Sequence, residues 1–207
     1  MGAWYGIYYY LSSFENILMW MAVEPEAAHA LFDMTGKFSI EAAKMLLSCG
    51  VDCIGAASDL GSAYTLLFSR EMFREYVFPW MKELADLCHQ NGAYFHLHSH
   101  GHIEDIMDDI VESGVDIINP IGPSEHNDLG VFKQRWGDRI TLHGGISTTI
   151  ANMSEEQISE HVAEVMSIGR KGGRFIPRTE SGIPPMHFEK AKFYIDILKK
   201  ERMKGYE

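Results

Sequence analysis

Five times along the chain, a stretch with polar and apolar positions spaced as on a helix runs into a glycine, and a short apolar segment follows. The glycines are Gly50, Gly92, Gly114, Gly137 and Gly172, as in AAKMLLSCGVDCIGAA and ELADLCHQNGAYFHLH. A glycine suits the position just past a helix because it enters the left-handed region without a Cβ clash. The apolar segments predict strands at 52–57, 93–98, 116–120, 139–143 and 174–177, with one more at 5–10. They are continuous apolar runs, the pattern of strands buried on both faces. Roughly twenty to forty residues separate successive strands, enough for a helical crossover that brings the chain back for a parallel neighbour.

Helix boundaries are marked as well. Pro25 fits a first helical position, and the SEEQ run from Ser154 to Gln157 has capping-box spacing. Pro79 lies inside the long helical stretch 70–90, where its missing amide predicts a kink. No linker or low-complexity tract divides the chain, so one domain is expected over residues 1–207. A repeated βα pattern leaves an open doubly wound sheet or a closed (β/α)8 barrel. No GxGxxG follows any strand, which favours the barrel. A complete barrel has eight strands in roughly 250 residues. With five or six in hand, the expected fold class is an α/β TIM barrel incomplete at its N-terminus.

Composition narrows the partners. With 46% hydrophobic and 12% aromatic residues among 207, the chain can bury one sizeable core. A formal net charge of -11, from 29 acidic and 18 basic residues, works against general affinity for nucleic acid or an anionic membrane. A small-molecule substrate or a protein partner is expected instead. Three cysteines without paired spacing, Cys49, Cys53 and Cys88, indicate neither a disulfide framework nor a cysteine-only zinc site, which points to the cytoplasm. The apolar start MGAWYGIYYYLSSFENILMWMAV lacks a basic leader and is interrupted by Glu15 and Asn16, so it is expected in the core rather than in a signal or membrane segment.

In a parallel barrel, chemistry sits at the C-terminal ends of the strands. Those ends carry Asp59, then His98 and His100, then Asn119, then His143, then Arg178 with Glu180. The run FHLHSHGHIEDI places four of the ten histidines at alternate positions, from His96 deep in the strand to His102. Residues two apart on a strand point the same way, about 6.5 to 7 Å apart. His98 and His100 can therefore both reach one metal ion at about 2.0 to 2.1 Å. The same pair can serve as substrate ligands or hydrogen-bond within a polar pocket. Glu180 is a candidate third metal ligand, its alternative being a solvated loop carboxylate. Asp59 is a candidate general acid or base, a group that orients substrate, or the cap of a following helix. Gly101 is expected to turn the strand into a helix, with His102 at the helix N-terminus, where it is expected to stay neutral or bind an anion. Gly144 and Gly145 after His143 permit a ligand to approach the backbone. Arg178 can fork to a substrate carboxylate or join a surface salt bridge, and Tyr64 is a further pocket-lining candidate.

The blocks LHSHGHIEDIMDDIVESGVDIINPI (97–121), FKQRWGDRITLHGGIST (132–148) and GGRFIPRTESGIPP (172–185) resemble the uroporphyrinogen decarboxylase superfamily, which also contains the cobalamin-dependent methyltransferases. The segment MFREYVFPWMKELADLCHQNGA is similar to that family's long helix before the histidine strand, and the resemblance runs from about Glu15 to the C-terminus. It implies a (β/α)8 barrel. Its methyltransferase branch implies a zinc ion on a His-x-Cys-Gly stretch plus a later cysteine, activating a thiol such as coenzyme M, and a corrinoid carried by a partner protein. Here His98 matches the histidine, His100 stands where the first cysteine would be, and Glu180 and Ser181 stand where the second would be. Neutral imidazoles in place of thiolates leave zinc a stronger Lewis acid, so beside coenzyme M activation the departure leaves open a different metal, a different methyl acceptor or no metal at all. The decarboxylase branch implies cofactor-free chemistry on a polycarboxylated tetrapyrrole of porphyrin biosynthesis, bound by an N-terminal basic stretch and an aspartate. No basic cluster here matches that stretch.

Three readings follow: a corrinoid-linked methyltransferase-like enzyme, a uroporphyrinogen decarboxylase-type carboxy-lyase, and a non-catalytic partial barrel that self-associates or is completed by a partner subunit. In the last, the aromatic start with Trp4, Tyr5 and Tyr8 to Tyr10 would cover exposed strand edges.

Overall fold

The computed structural model of the protein describes residues 12–183 and 185–204. The strand expected at 5–10, and the aromatic cover with it, lie outside the described residues. The chain forms two compact units, Met1–Asn119 and Pro120–Glu207.

In the first unit, Ser13 caps helix α1 (Phe14–Val23) by accepting the Asn16 amide at 3.2 Å. Helix α2 (Pro25–Ser48) starts with Pro25 in its first turn, as the sequence predicts. Its inner face buries Ala28, Phe32, Ile40, Ala43 and Leu47. Strand β1 (Cys53–Ala57) pairs in parallel with β2 (Tyr94–His98), and β2 with the first residues of β3 (Ile117–Ile121).

Between β1 and β2 the predicted kink takes a specific form. One helical turn (Arg70–Met72) passes into a π-turn (Phe73–Val77), in which the Phe78 amide bonds the Phe73 carbonyl five residues back. Helix α3 (Phe78–Gln90) then begins with Pro79 in its first turn. Proline has no amide to donate to an i−4 carbonyl, so the chain re-registers just before it instead of bending through it. After β2 come a 3-10 turn (Glu104–Ile106) and the short helix α4 (Met107–Glu112). The Asp109 carboxylate of α4, fully buried, accepts from Arg70 Nε at 2.6 Å and from Arg74, which pins α4 to the π-turn region.

Strand β3 is buried at every residue from Ile118 to Ile121, as the continuous-run expectation has it, but β1 and β2 are not buried evenly on both faces. Ile54, Ala56, Phe95 and Leu97 are buried on one face, while Cys53, Gly55, Ala57 and Tyr94 are exposed on the other. The reason lies in size: the second face of β1 carries only small side chains, which read as apolar in sequence but fill little space.

The second unit holds the end of β3, a 3-10 turn (Pro123–Glu125), α5 (Leu129–Trp136), β4 (Thr141–Ile146), a 3-10 turn (Thr148–Asn152), α6 (Glu155–Gly169), β5 (Phe175–Thr179) and α7 (Phe188–Met203). Strands β4 and β5 are parallel, with Leu142 opposite Phe175 and Ile146 opposite Thr179. Ile146, Ile150, Ile158, Val162, Val165, Met166 and Tyr194 form its core. The capping box at Ser154 is present in full, each partner bonding the other's backbone. Gly137 departs from the five-glycine pattern: its φ is -67°, and the chain turns on through amides of Arg139 and Ile140 that both reach the Trp136 carbonyl. The described residues thus hold five parallel strands in an α/β arrangement. Among the described residues no helix is long and apolar enough to cross a membrane.

Candidate functional site

At the end of β2 the first unit brings four of the sequence-derived residues together. His98 and Asn119 are register partners on adjacent strands, and His98 Nδ1 lies 2.8 Å from Asn119 Oδ1. The amide oxygen accepts, so Nδ1 is the donor and Nε2 is the ring nitrogen that this bond leaves unused. Asn119 is 1% exposed and its backbone carbonyl accepts the Ser99 amide at 2.7 Å, so the acceptor is rigidly held. The His98 and His100 rings meet edge to face, with centroids 4.8 Å apart.

Asp59 does not cap a helix, since residues 58–68 form a loop. Its Oδ1 accepts the His100 amide at 3.0 Å and so fixes the backbone beside the histidine pair. Further bonds join the same two loops: Ser58 amide to His98 carbonyl, Leu60 amide to Ser99 Oγ, and His102 amide to Ser62 carbonyl. The expectation that His102 begins a helix is corrected by that last bond, because the chain pairs with residue 62 before the 3-10 turn starts at Glu104. Gly101, with φ 93°, and Gly61 meet backbone to backbone. A Cβ on Gly101 would lie 2.0 Å from the Gly61 carbonyl, and one on Gly61 would lie 2.4 Å from the His102 oxygen. Tyr64 lies on the same loop but is 76% exposed.

In the second unit, Glu180 follows β5 and is 4% exposed. One carboxylate oxygen accepts the Ser124 amide at 2.9 Å and its hydroxyl at 2.7 Å; the other accepts the Thr148 amide at 3.0 Å and its hydroxyl at 3.2 Å. Burial alone would push this carboxyl up, but the four donors outweigh it and hold it below the ordinary carboxylate range. Glu180 is therefore an anion that ties together the ends of β3, β4 and β5, not a solvated loop carboxylate. Ser124 and Thr148 were not legible as its partners, since nothing in their local sequence marks them.

His143 is half-buried on β4, opposite Ile176, and Arg178 is exposed on β5, opposite Gly145. Gly144 sits so close to β3 that a Cβ would fall 2.5 Å from the Ile121 amide nitrogen, so its lack of a side chain serves strand packing. A residue that the sequence did not mark is His161 of α6, whose Nε2 accepts the Ser147 amide at 3.0 Å. Burial holds its pKa below the ordinary histidine value, against a smaller opposing pull from Glu164 and Glu180.

The residues fit a zinc ion poorly. Among the described residues no three His, Cys, Asp or Glu side chains are grouped to hold a metal, and both oxygens of Glu180 are already engaged.

Comparison with known proteins agrees with this architecture. The chain is 30% identical over 109 residues to the methylated-thiol--coenzyme M methyltransferase of Methanosarcina mazei, a match covering 52% of this chain and 28% of that protein. Its structure is similar to a methyltransferase from Methanosarcina mazei, with a TM-score of 0.72, 21% identity, and coverage of 95% of this chain and 55% of that one. It is also similar to a dihydropteroate synthase from Anaplasma phagocytophilum, with a TM-score of 0.51, 14% identity and coverage of 82% and 71%. These structural likenesses show the fold, that of barrel enzymes, and the chain spans about half of the first structure's length. The model of the uroporphyrinogen decarboxylase (URO-D) family matches residues 1–200, and the chain belongs to that family.

Proposed function

We propose that this chain carries methyl-transfer chemistry directed at a small thiol, with His98 as the catalytic base and a corrinoid on a partner protein as the methyl donor. The observation that carries this reading is the His98–Asn119 hydrogen bond, which engages Nδ1 and orients the ring at a strand end, leaving Nε2 as the nitrogen this bond does not use. Nε2 takes the proton of the thiol S–H, and the thiolate sulfur is then the nucleophile for the methyl group; the corrinoid would supply that methyl and would keep the electron pair of the bond that breaks, so the step needs no outside oxidant or reductant. Asp59 positions the loop through the His100 amide, and His100 packs edge-on against His98 and limits its rotation. Support for the reaction class comes from the similarity to a methylated-thiol methyltransferase. No step is routed through zinc, because the grouped donors it would need are not found among the described residues.

The test is methyl transfer from methylcobalamin to a small thiol, with the thioether measured by mass spectrometry. The expected result is turnover by the wild type and a loss of roughly 10²- to 10⁴-fold in His98→Gln. Thioether formation that persists at the wild-type rate in the variant would sink the assignment of His98.

A second reading, a partial barrel completed by self-association or by a partner subunit, is favoured by the open face of β1 and β2, where Tyr94 is 60% exposed. Sedimentation across a concentration series tests it: a monomer at all concentrations, with full activity alone, would remove this reading.

A further inference from the structure

At the start of β5, where α6 returns to the sheet, lies a pocket of about 460 Å³ that the strand-end chemistry does not use. Three guanidinium side chains line it: Arg170, Arg174 and Arg202. Three like charges around one opening repel one another, and a chain with 29 acidic residues has carboxylates to offset them. Arg170 has such a neighbour. Its Nη2 lies 3.5 Å from Glu201 Oε2, its Nε donates to the Met166 carbonyl at 2.8 Å, and its Nη1 donates to the Lys204 carbonyl. Glu201 is already shared with Lys204 Nζ. Arg174 and Arg202 make no ion pair among the described residues.

The backbone adds a second observation. Gly172, Gly173 and Arg174 are left-handed in succession, with φ of 73°, 75° and 49°. An arginine in that region is strained where glycine or asparagine would not be, so backbone geometry does not account for the residue type. A Cβ on either glycine would meet nothing within 4 Å, which leaves the loop backbone open to an approaching molecule. The rest of the lining is apolar: Met166, Phe175 and Pro177. Lys133, bonded to the Gly173 carbonyl, has its pKa lowered by burial and then by the charge of Arg174.

We propose that this pocket binds a small organic phosphate, its phosphoryl group forked by Arg174 and Arg202 and its apolar part resting on Phe175, Met166 and Pro177. Guanidinium forks match phosphoryl oxygens in pairs, and a dianion balances two arginines that make no ion pair among the described residues. The site stands apart from the methyl-transfer reading and does not depend on it.

The probes are inorganic phosphate and phenyl phosphate, titrated into the full chain by calorimetry and thermal melting, with chloride at matched ionic strength as control. Phosphate is expected to raise the melting temperature beyond chloride, and phenyl phosphate to bind more tightly than phosphate. Arg174→Asn/Arg202→Gln is expected to weaken both by at least about tenfold. Asparagine suits the left-handed backbone, so this variant should melt no lower than wild type when phosphate is absent. Arg202→Gln alone, an exposed change on α7, should weaken binding without altering the fold. A phosphate effect no larger than chloride's, or one unchanged in these variants, overturns the site; equal affinity for the two probes overturns its organic half.

Discussion

Single side chains decide most of what these strand ends can do. Removing the Asn119 acceptor releases the His98 tautomer, so Asn119→Leu should turn the wild-type Nδ1–H imidazole into a mixture, visible in the ¹⁵N shifts of the ring. A ring that keeps its Nδ1 proton in the variant would mean that another group fixes it. Glu180→Gln removes the charge and turns an NH2 group toward one of the two backbone amides, of Ser124 and Thr148, that can only donate, and should destabilise the fold by about 1 to 3 kcal/mol, measured by urea unfolding. Cys88 is buried, and its thiol is pushed up to about 11 by burial, then by Cys53 and Asp116. At pH 8 a thiol reagent should therefore label exposed Cys49 while Cys88 stays unmodified until the chain unfolds. Sequence spacing was enough to single out His98 and Glu180. Their partners were not legible, because Asn119 lies 21 residues from His98, and Ser124 and Thr148 lie 56 and 32 residues from Glu180, distances that only strand register closes.

Among elements, the sequence was most readable where local chemistry rules. All five strand segments in the described region are present, with ends shifted by a few residues, because glycine punctuation and short apolar runs act locally. The capping box on α6 is another local feature, and Ser154→Ala should cost about 1 kcal/mol in a thermal or urea melt. The π-turn before α3 was not readable: Pro79 says that the helix cannot run through, but not whether it bends or re-registers. Nor did the alternation of β1 show in composition, since small residues count as apolar whether or not anything covers them.

For the molecule as a whole, two depressed pKa values act in the same direction. A group whose pKa is lower folded than unfolded adds stability above its ordinary value and loses it as pH falls. His161 should begin that loss below its ordinary value of 6.5, and Glu180 should extend it below 4.5. Urea midpoints against pH should thus be level near neutrality and fall in two stages, with the first stage missing in His161→Gln; a single stage near 4.5 in wild type would exclude His161. The contact between Gly61 and Gly101 bears on how this scaffold could be diversified. Because two main chains touch there with no side chain between them, neither position can accept any other residue without pushing the loops apart. A library built for new substrates should hold both glycines constant and place its variation at 63–68, beyond the point where the backbones meet.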